Sequence, residues 1–277
     1  MQNWSFRVWG CRGGISVDGE AYARYGGLTT CLELEYEGAR IFIDAGTGFA
    51  HAGRVLAHDG RPTLLFVTHL HADHIKGFPF FGPLFTPGWD LQIVGPLREG
   101  LSPFEFMCQI HRPPLFPAPV QQLTQARVLG RSVAMEGSED FHGVRIAWCE
   151  VWHPGGCSAV SLHIGDRRIV FSGDLELERT DREALAAFCR DADLLIVDAQ
   201  YDEQEYPQHL GWGHSTNLQA ARFAAEAGVG RLLLSHHDPR HDDATIDRMV
   251  ADAREVFPAT DAAACGMTIT DADLGSR

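Results

Sequence analysis

The sequence contains almost no lysine: Lys76 is the single example in 277 residues, and every other basic side chain is arginine. Acidic residues outnumber basic ones by 37 to 23, which gives a formal net charge of −14. Proteins that bind nucleic acids broadly need surfaces rich in lysine and arginine to neutralise phosphates. The composition therefore argues against a nucleic-acid partner.

Paired cysteines and long apolar runs are also missing. The 7 cysteines are scattered and include no C-x-x-C pair, which predicts reduced thiols rather than a disulfide framework. No stretch approaches the roughly 18 unbroken apolar residues that a membrane-spanning helix requires. The opening segment MQNWSFRVWGCRGG lacks the layout of a signal peptide. We expect a cytoplasmic protein without a membrane partner.

Strand and helix patterns alternate along the chain, without internal repeats. Apolar, β-branched runs predict strands at 39–44, 63–68, 91–95, 144–151, 167–173, 193–198 and 231–235. Helical patterns occupy 181–191, 215–228 and 243–257, the second of which is expected to begin at Ser215 as N-cap and end at Gly228. The alternation indicates a layered α/β architecture. We expect one domain over 1–277, with a Pro-rich loop or short-helix excursion at about 96–125.

The segment Thr68–His74, THLHADH, places three histidines and a carboxylate directly after a predicted buried strand. Other predicted strands lead into further metal-capable side chains, namely Asp44, His153, Asp174 and His236. The carboxyl ends of strands converge at one sheet edge, where α/β proteins place ligands. One such residue is usually a satisfied loop residue, but this number of them favours a metal site.

The types of these residues suit two metal ions. Neutral imidazole and carboxylate oxygen are good zinc ligands. In an extended segment His69 and His71 point to the same side, while Asp73 and His74 lie past the turn and can address a second ion. A carboxylate such as Asp174 can bridge two cations, which two-metal hydrolases hold about 3.5–4 Å apart.

The pattern H-x-H-x-D-H at 69–74, followed by His153, Asp174 and His236, resembles the metallo-β-lactamase superfamily over nearly the whole chain. The resemblance implies a four-layered αββα sandwich with a dinuclear site at its edge. It implies two ligand sets, His69, His71, His153 and Asp174 for one ion, and Asp73, His74, Asp174 and His236 for the other. Zinc is the expected metal, with manganese or iron as alternatives. His236 is preferred over the adjacent His237 because LLLSH aligns with the LxLTH of the superfamily.

The segment GWGHSTNLQAARFAAEAGVGRLLLSH resembles the GHST–helix–LxLTH region of the ribonuclease Z branch and its phosphodiesterase relatives. The resemblance implies that His214 faces the substrate, where it stabilises negative charge or protonates a leaving alkoxide. Asp198 would orient His214, although this branch more often carries glutamate there. Asp73 would act both as a ligand and as the group that orients the attacking hydroxide. The alternative for His214 is an ordinary position beside a helix N-cap.

Further segments, such as WGCRGG and SHHDPRHDD, resemble small bacterial phosphodiesterases of this branch. The sequence has no long Gly/Pro/basic insertion of the kind with which ribonuclease Z grips tRNA. We therefore expect a dinuclear phosphodiesterase that hydrolyses small phosphodiesters, such as cyclic nucleotides, by attack of a hydroxide shared by two ions. The resemblance favours a homodimer. Alternatives are a ribonuclease Z-like nuclease, a thioester or lactone hydrolase, an iron-bound redox enzyme, and a metal or ligand sensor without turnover.

Other polar residues are weaker candidates. Lys76 could contact a substrate phosphate, although a solvated surface position is the simpler expectation. Arg12 and Arg112 could bind an anion, but structural ion pairs are favoured for both. The remaining histidines are expected at the surface or in the core, with His209 as the first exception because it shares a loop with His214; they are His51, His58, His111, His142, His163, His209 and His241.

Overall fold

The computed structural model describes residues 4–56 and 60–275, which form two seven-stranded sheets. The first sheet contains β1 (Trp4–Gly10), β2 (Cys31–Tyr36), β3 (Ala39–Ile43), β4 (Thr63–Phe66), β5 (Asp90–Pro96), β6 (Arg127–Val133) and β14 (Thr268–Ile269). The second contains β7 (Gly137–Phe141), β8 (Val144–Val151), β9 (Cys157–Ile164), β10 (Arg167–Phe171), β11 (Leu194–Asp198), β12 (Leu232–Ser235) and β13 (Thr260–Ala262). Their orders are β14-β1-β2-β3-β4-β5-β6 and β13-β12-β11-β10-β9-β8-β7.

Helices cover the outer face of each sheet. They are α1 (Thr47–Val55), α2 (Ala72–Ile75), α3 (Pro103–Ile110), α4 (Val120–Leu123), α5 (Arg182–Cys189), α6 (Asn217–Ala227) and α7 (Asp243–Val256). Phe49 of α1 packs in a cluster with Phe42 and Leu65 of the first sheet. Phe223 of α6 packs with Leu234 of the second sheet. The predicted αββα sandwich is confirmed.

The alternation of side chains along the strands explains the layers. In β3, Ile41 and Ile43 belong to the cluster between the two sheets, whereas Phe42 faces the helical layer. Both faces of such a strand are buried, so its sequence, ARIFI, is nearly continuous in apolar residues. Each fully buried side chain of this size contributes about 1.5–3 kcal/mol through the hydrophobic effect.

Parallel pairing brings the important strand ends to one edge of the sandwich. Strands β3, β4 and β5 are parallel neighbours in the first sheet, and β10, β11 and β12 are parallel neighbours in the second. The residues that follow these strands therefore emerge together. This arrangement collects the histidines and aspartates that are far apart in the sequence.

The predicted strands and helices are all present, and their bounds differ by no more than two residues from the expected ones. One detail is wrong: the N-cap of α6 is Thr216, whose side chain accepts a hydrogen bond from Gln219 N. The Ser215 hydroxyl instead donates to Leu175 O at 2.7 Å. Gly228 ends α6 in the left-handed conformation with φ 68°, as expected.

Several elements were not predicted, among them β1, β2, β9, α1 and the edge strand β6. The excursion at 96–125 contains α3, which begins with a capping box between Ser102 and Glu105, and the short α4. In the described part of the chain no helix combines the length and the apolar character needed to cross a membrane. The single-domain assignment stays a prediction.

Candidate metal centre

The structure brings the seven predicted ligands together in two adjacent groups at the shared edge of the sheets. We call His69, His71 and His153 the first cluster, and Asp73, His74, Asp174 and His236 the second cluster. Within each cluster the candidate ligand atoms all lie within 4.8 Å of one another. Asp174 lies between the two, because its Oδ2 is also 3.6 Å from His69 Nε2.

The second cluster has the dimensions of a tetrahedral metal site. His236 Nε2 lies 3.1 Å from Asp174 Oδ2 and 3.2 Å from Asp73 Oδ2. His74 Nε2 lies 3.2 Å from Asp174 Oδ2, 3.5 Å from Asp73 Oδ2 and 3.3 Å from His236 Nε2. A point equidistant from four atoms with this spacing lies about 2 Å from each, which is the usual zinc–ligand distance. All four side chains are buried.

The carboxylates of the second cluster attract positive charge. Burial by itself would lower the pKa of His74, but Asp174, Asp73 and Asp44 raise this pKa well above its ordinary value. The pKa of His236 is likewise raised to about 9 against the effect of burial, chiefly by Asp174 and Asp73. The site therefore favours either protonated imidazoles or bound cations.

The first cluster is neutral and more open. Burial lowers the pKa of His69 well below its ordinary range and that of His153 to about 4, so these imidazoles carry lone pairs at neutral pH. His153 Nε2 faces His71 Nδ1 at 3.0 Å. Among the described residues, His69 Nε2 and Asp174 Oδ1 are buried without a hydrogen-bond partner. Such atoms are costly unless a cation or water satisfies them, so both clusters fit metal ions.

Asp44 supports the second cluster rather than lining it. Its Oδ2 accepts a hydrogen bond from His74 Nδ1 at 2.7 Å, and its Oδ1 accepts from Thr68 N at 2.8 Å. This contact fixes the His74 ring with Nε2 toward the cluster, as outer carboxylates do at metal sites. Asp44, one of the metal-capable residues at strand ends, lies in none of the ligand groups of the described residues.

His236 and His237 point in different directions. His236 has a left-handed backbone, with φ 59°, and its ring enters the second cluster. His237 Nε2 instead donates to Ala263 O at 3.0 Å and is buried away from the candidate ligands. The contact with Ala263 therefore separates His237 from His236, whereas the sequence alone gave only a preference for His236 as the candidate ligand.

His214 forms the wall beside both clusters. Its Nδ1 lies 2.7 Å from Asp198 Oδ2, so the aspartate reaches the imidazole despite its short side chain. The His214 ring stacks on that of His236 with centroids 4.8 Å apart, and it lies 5.1 Å from the ring of His153. Asp198 is fully buried, whereas His214 retains some exposure. The pair can therefore act on a group bound at either cluster.

The comparisons with known proteins agree with this geometry. The sequence model of the beta-lactamase superfamily domain matches residues 39–237, which include every candidate ligand of both clusters. The chain belongs to the beta-lactamase superfamily. Members of this superfamily share the metallo-β-lactamase fold and include metal-dependent hydrolases, of which the chain is one.

Among curated relatives of this superfamily member, ribonuclease BN of Cronobacter sakazakii is 26% identical across an alignment that covers 82% of this chain and 88% of the relative. The metallo-β-lactamase fold protein YhfI of Bacillus subtilis has a TM-score of 0.76 at 19% identity, covering 97% and 99% of the two chains. Human tRNase Z, short form, has a TM-score of 0.70 at 22% identity, covering 96% and 98%. The two structural likenesses show the fold.

The weaker candidates lie outside the ligand groups of this superfamily member. Arg12 is buried and donates to the carbonyl oxygens of Gly26, Asp238 and His241, so it is a structural residue, and it forms no ion pair of the expected kind with the described residues. Lys76 is partly exposed and donates to Gly14 O at 3.2 Å. Arg112 is exposed on the 96–125 excursion. His209 stacks on Tyr201 with centroids 4.3 Å apart.

The other histidines have separate partners or positions. His111 Nδ1 lies 2.8 Å from Met107 O, His163 Nε2 lies 3.2 Å from Ser161 Oγ, and His241 Nε2 lies 2.8 Å from Glu205 Oε2. No ligand group of the described residues contains these three, His51 or His142. His58 lies outside the described residues.

Sequence reasoning missed two contributors to this centre. One is the backbone carbonyl of Gly213, which accepts a hydrogen bond from His153 Nδ1 at 2.8 Å. The other is Glu176, a fully buried carboxylate in the segment DLELE. An acidic residue between two buried leucines is a usable signal, because a buried carboxylate requires several donors.

Proposed function

We propose that this hydrolase cleaves small phosphodiesters, with cyclic nucleotides as a substrate class, and that the two clusters hold two divalent cations, zinc in the first instance. The observation that carries the proposal is the Asp198–His214 pair, whose imidazole lies against ligands of both clusters. A phosphodiester needs such a group, because negative charge develops on phosphoryl oxygens and on the departing alkoxide. The proposal treats residues 1–277 as one catalytic domain.

The chain supplies ligands, orientation and a proton. When bound, two divalent cations supply Lewis acidity and make a nucleophilic water available near neutral pH. Asp73 is fixed by Gly14 N, which donates to its Oδ2 at 2.6 Å. Asp73 therefore holds a constant position as ligand and as the acceptor that orients the attacking water.

His214 assists the departing group. Because Nδ1 is engaged by Asp198, Nε2 is the ring nitrogen that remains for substrate. The buried Asp198 carboxylate orients the ring through this contact. A proton on Nε2 can then stabilise charge on the phosphoryl oxygens or pass to the leaving alkoxide.

The second candidate function is an RNA-processing nuclease, which the relationship to ribonuclease BN favours. The same centre and the same His214 would serve a phosphodiester in RNA. The formal net charge of −14 with 23 basic residues disfavours a long polyanion. A small phosphodiester carries far fewer negative charges than precursor tRNA, so an acidic protein repels it less.

The test is hydrolysis of bis-p-nitrophenyl phosphate by the zinc-loaded protein before and after chelation. His214→Ala should lower kcat by about 10²–10⁴-fold, the usual contribution of a general acid, while the zinc content stays at two ions per chain. His209→Ala is the matched control, because His209 shares the loop but contacts Tyr201 instead.

Parallel assays separate the alternatives. A gel assay on precursor tRNA reports the nuclease, and thioester and lactone substrates report the other hydrolases of the fold. Phosphodiester cleavage that survives metal removal, or that is unchanged in His214→Ala, would refute the proposal.

A further inference from the structure

Glu176 connects the two segments that hold His153, although it touches no candidate ligand atom. It lies between β10 and α5, two residues after Asp174, and its side chain is completely buried. We infer that Glu176 is a positioning residue that fixes His153 and thereby tunes the metal affinity of the first cluster. The inference rests on the two-metal site of the proposed function.

The carboxylate of Glu176 gathers donors from the loop that precedes His214. Gly211 N donates to Oε2 at 2.9 Å, and Gly213 N donates to Oε2 at 3.1 Å. The Tyr206 hydroxyl donates to Oε1 at 3.1 Å. A carboxylate can accept all of these bonds at once, because each of its two oxygens carries two lone pairs.

These contacts hold the loop in a conformation that few residues could adopt. Gly211 and Gly213 have φ values of 84° and 93°, in the left-handed region that favours glycine. Arg179 Nε lies 3.4 Å from Glu176 Oε1 and adds a partly exposed positive charge. The buried charge of Glu176 is thus compensated, and its main effect is to set the position of the 211–213 backbone.

The 211–213 loop in turn determines the orientation and the tautomer of the His153 imidazole. The carbonyl oxygen of Gly213 accepts a hydrogen bond from His153 Nδ1 at 2.8 Å. This bond keeps the proton on Nδ1 and leaves the lone pair on Nε2, which faces His71. The backbone N–H of Glu176 also donates to Trp152 O at 3.1 Å, directly before His153.

The contacts form a closed circuit of hydrogen bonds. It runs from the Glu176 carboxylate through Gly213 to His153, and back through Trp152 to the Glu176 backbone. The second cluster has separate supports, namely Asp44 for His74 and the Gly14 N–H for Asp73. Loss of the Glu176 carboxylate should therefore weaken one cluster and spare the other.

The experiment is a titration of the metal-free protein with Co²⁺, followed by the absorption of its d–d bands. The wild type should bind two ions, and His71→Ala identifies the ion of the first cluster by removing one of its ligands. Glu176→Gln keeps the shape but presents an amide N–H₂ to backbone donors. It should weaken the first-cluster ion by about 10–100-fold, the usual effect of an outer partner of a metal-bound histidine, and leave the second unchanged.

Glu178→Gln is the matched control, since Glu178 is exposed on the same segment and the same charge is removed. It should leave both affinities unchanged. Excess Co²⁺ should restore the activity of Glu176→Gln, which a merely destabilised fold would not allow. If Glu176→Gln does not fold, Glu176→Asp retains the charge but withdraws the carboxylate, and the same selective loss is expected.

Equal weakening of both ions, or no weakening, would overturn the inference. So would a wild-type chain that binds fewer than two ions. The proposed function can fail separately, because a protein that binds two ions without cleaving the phosphodiester still yields the ratio of the two affinities.

Discussion

The first and second clusters lie side by side and differ in charge, exposure and support. The first consists of three imidazoles, of which His71 is exposed, whereas the second contains two carboxylates and two imidazoles that are all buried. Carboxylates add Coulombic attraction for a cation, and burial strengthens it. Under the proposed function, the second cluster should therefore retain its ion more firmly, while the first should exchange ions and expose one to substrate.

The two clusters are also supported by different groups. A carboxylate, Asp44, fixes His74 in the second cluster, whereas a backbone carbonyl from a distant loop fixes His153 in the first. The Gly213 support is itself held by the Glu176 carboxylate, to which Gly213 N donates. The geometry of the first cluster is therefore expected to depend on a longer chain of contacts than that of the second.

The largest expected effect comes from removing what the clusters share. Asp174→Asn takes away the carboxylate oxygen that lies 3.1–3.6 Å from His236, His74 and His69. Metal-ion catalysis contributes several kcal/mol, so kcat/KM for bis-p-nitrophenyl phosphate should fall by about 10³-fold or more. Asp166→Asn, an exposed turn residue, should leave kcat/KM unchanged. A smaller loss in Asp174→Asn than in His71→Ala, which alters the first cluster, or in His236→Ala, which alters the second, would contradict a shared role.

Two glycine-to-alanine substitutions should each disturb a different cluster. A methyl group at Gly213 would overlap His153 Nδ1 in the first cluster, and at Gly13 it would overlap the His236 ring in the second. Each change should lower the affinity for its own ion by about 10–100-fold. Gly213→Ala should also be the less stable variant, because its φ of 93° is strained for alanine.

Zinc analysis after dialysis against graded chelator measures both outcomes. Gly88→Ala is the control, since Gly88 lies in an exposed turn away from both clusters and its added methyl group would meet nothing within 4 Å, although its φ of 82° makes a modest loss of stability expected. If Gly13→Ala and Gly213→Ala both released the same ion first, the two clusters would not be independent.

The smallest expected effect is on the pH dependence of the free energy of unfolding of the metal-free protein. The pKa of His236 is raised to about 9, so its stabilising contribution is complete below its unfolded pKa of about 6.5 and is lost as pH rises through 9. The pKa of His153 is lowered to about 4, so its contribution is present above about 6.5 and is lost as pH falls toward 4. Stability should therefore peak between the two limbs.

Urea unfolding of the metal-free protein across this pH range provides the measurement. His236→Asn should flatten the alkaline limb, and His153→Asn should flatten the acid limb. Identical pH profiles for the two variants would show that the clusters do not differ in charge preference.

Much of the fold followed from local patterns. The strand at 144–151 matches β8 at both ends, and α7 begins at the predicted residue. The polar edge strand β6, RVLGRSV, was not recognised because it has neither a continuous apolar run nor a regular alternation. The N-cap of α6 is Thr216 rather than the predicted Ser215, because the Ser215 hydroxyl donates a hydrogen bond to Leu175 O in another segment.

Some features of the candidate site were likewise predictable from local patterns, and others were not. The short spacing in HLHADH indicated which nitrogen and oxygen atoms were available, since side chains within six consecutive residues cannot lie far apart. The choice between His236 and His237 was only a preference until the contact of His237 with Ala263 separated them. Asp44 was recognised as metal-capable, but its place behind His74 depends on how β3 and β4 pair.

By itself, the sequence determined seven of the strands, three of the helices and the residue types of the candidate ligands, because periodicity and close spacing are local properties of a chain. Only the tertiary structure decided how the ligands divide into a neutral and a charged cluster, and that Glu176 and Gly213 stand behind His153. Those relations join segments tens of residues apart. They depend on which backbone donors and acceptors come into contact after the two sheets have packed, and local sequence patterns do not predict those contacts.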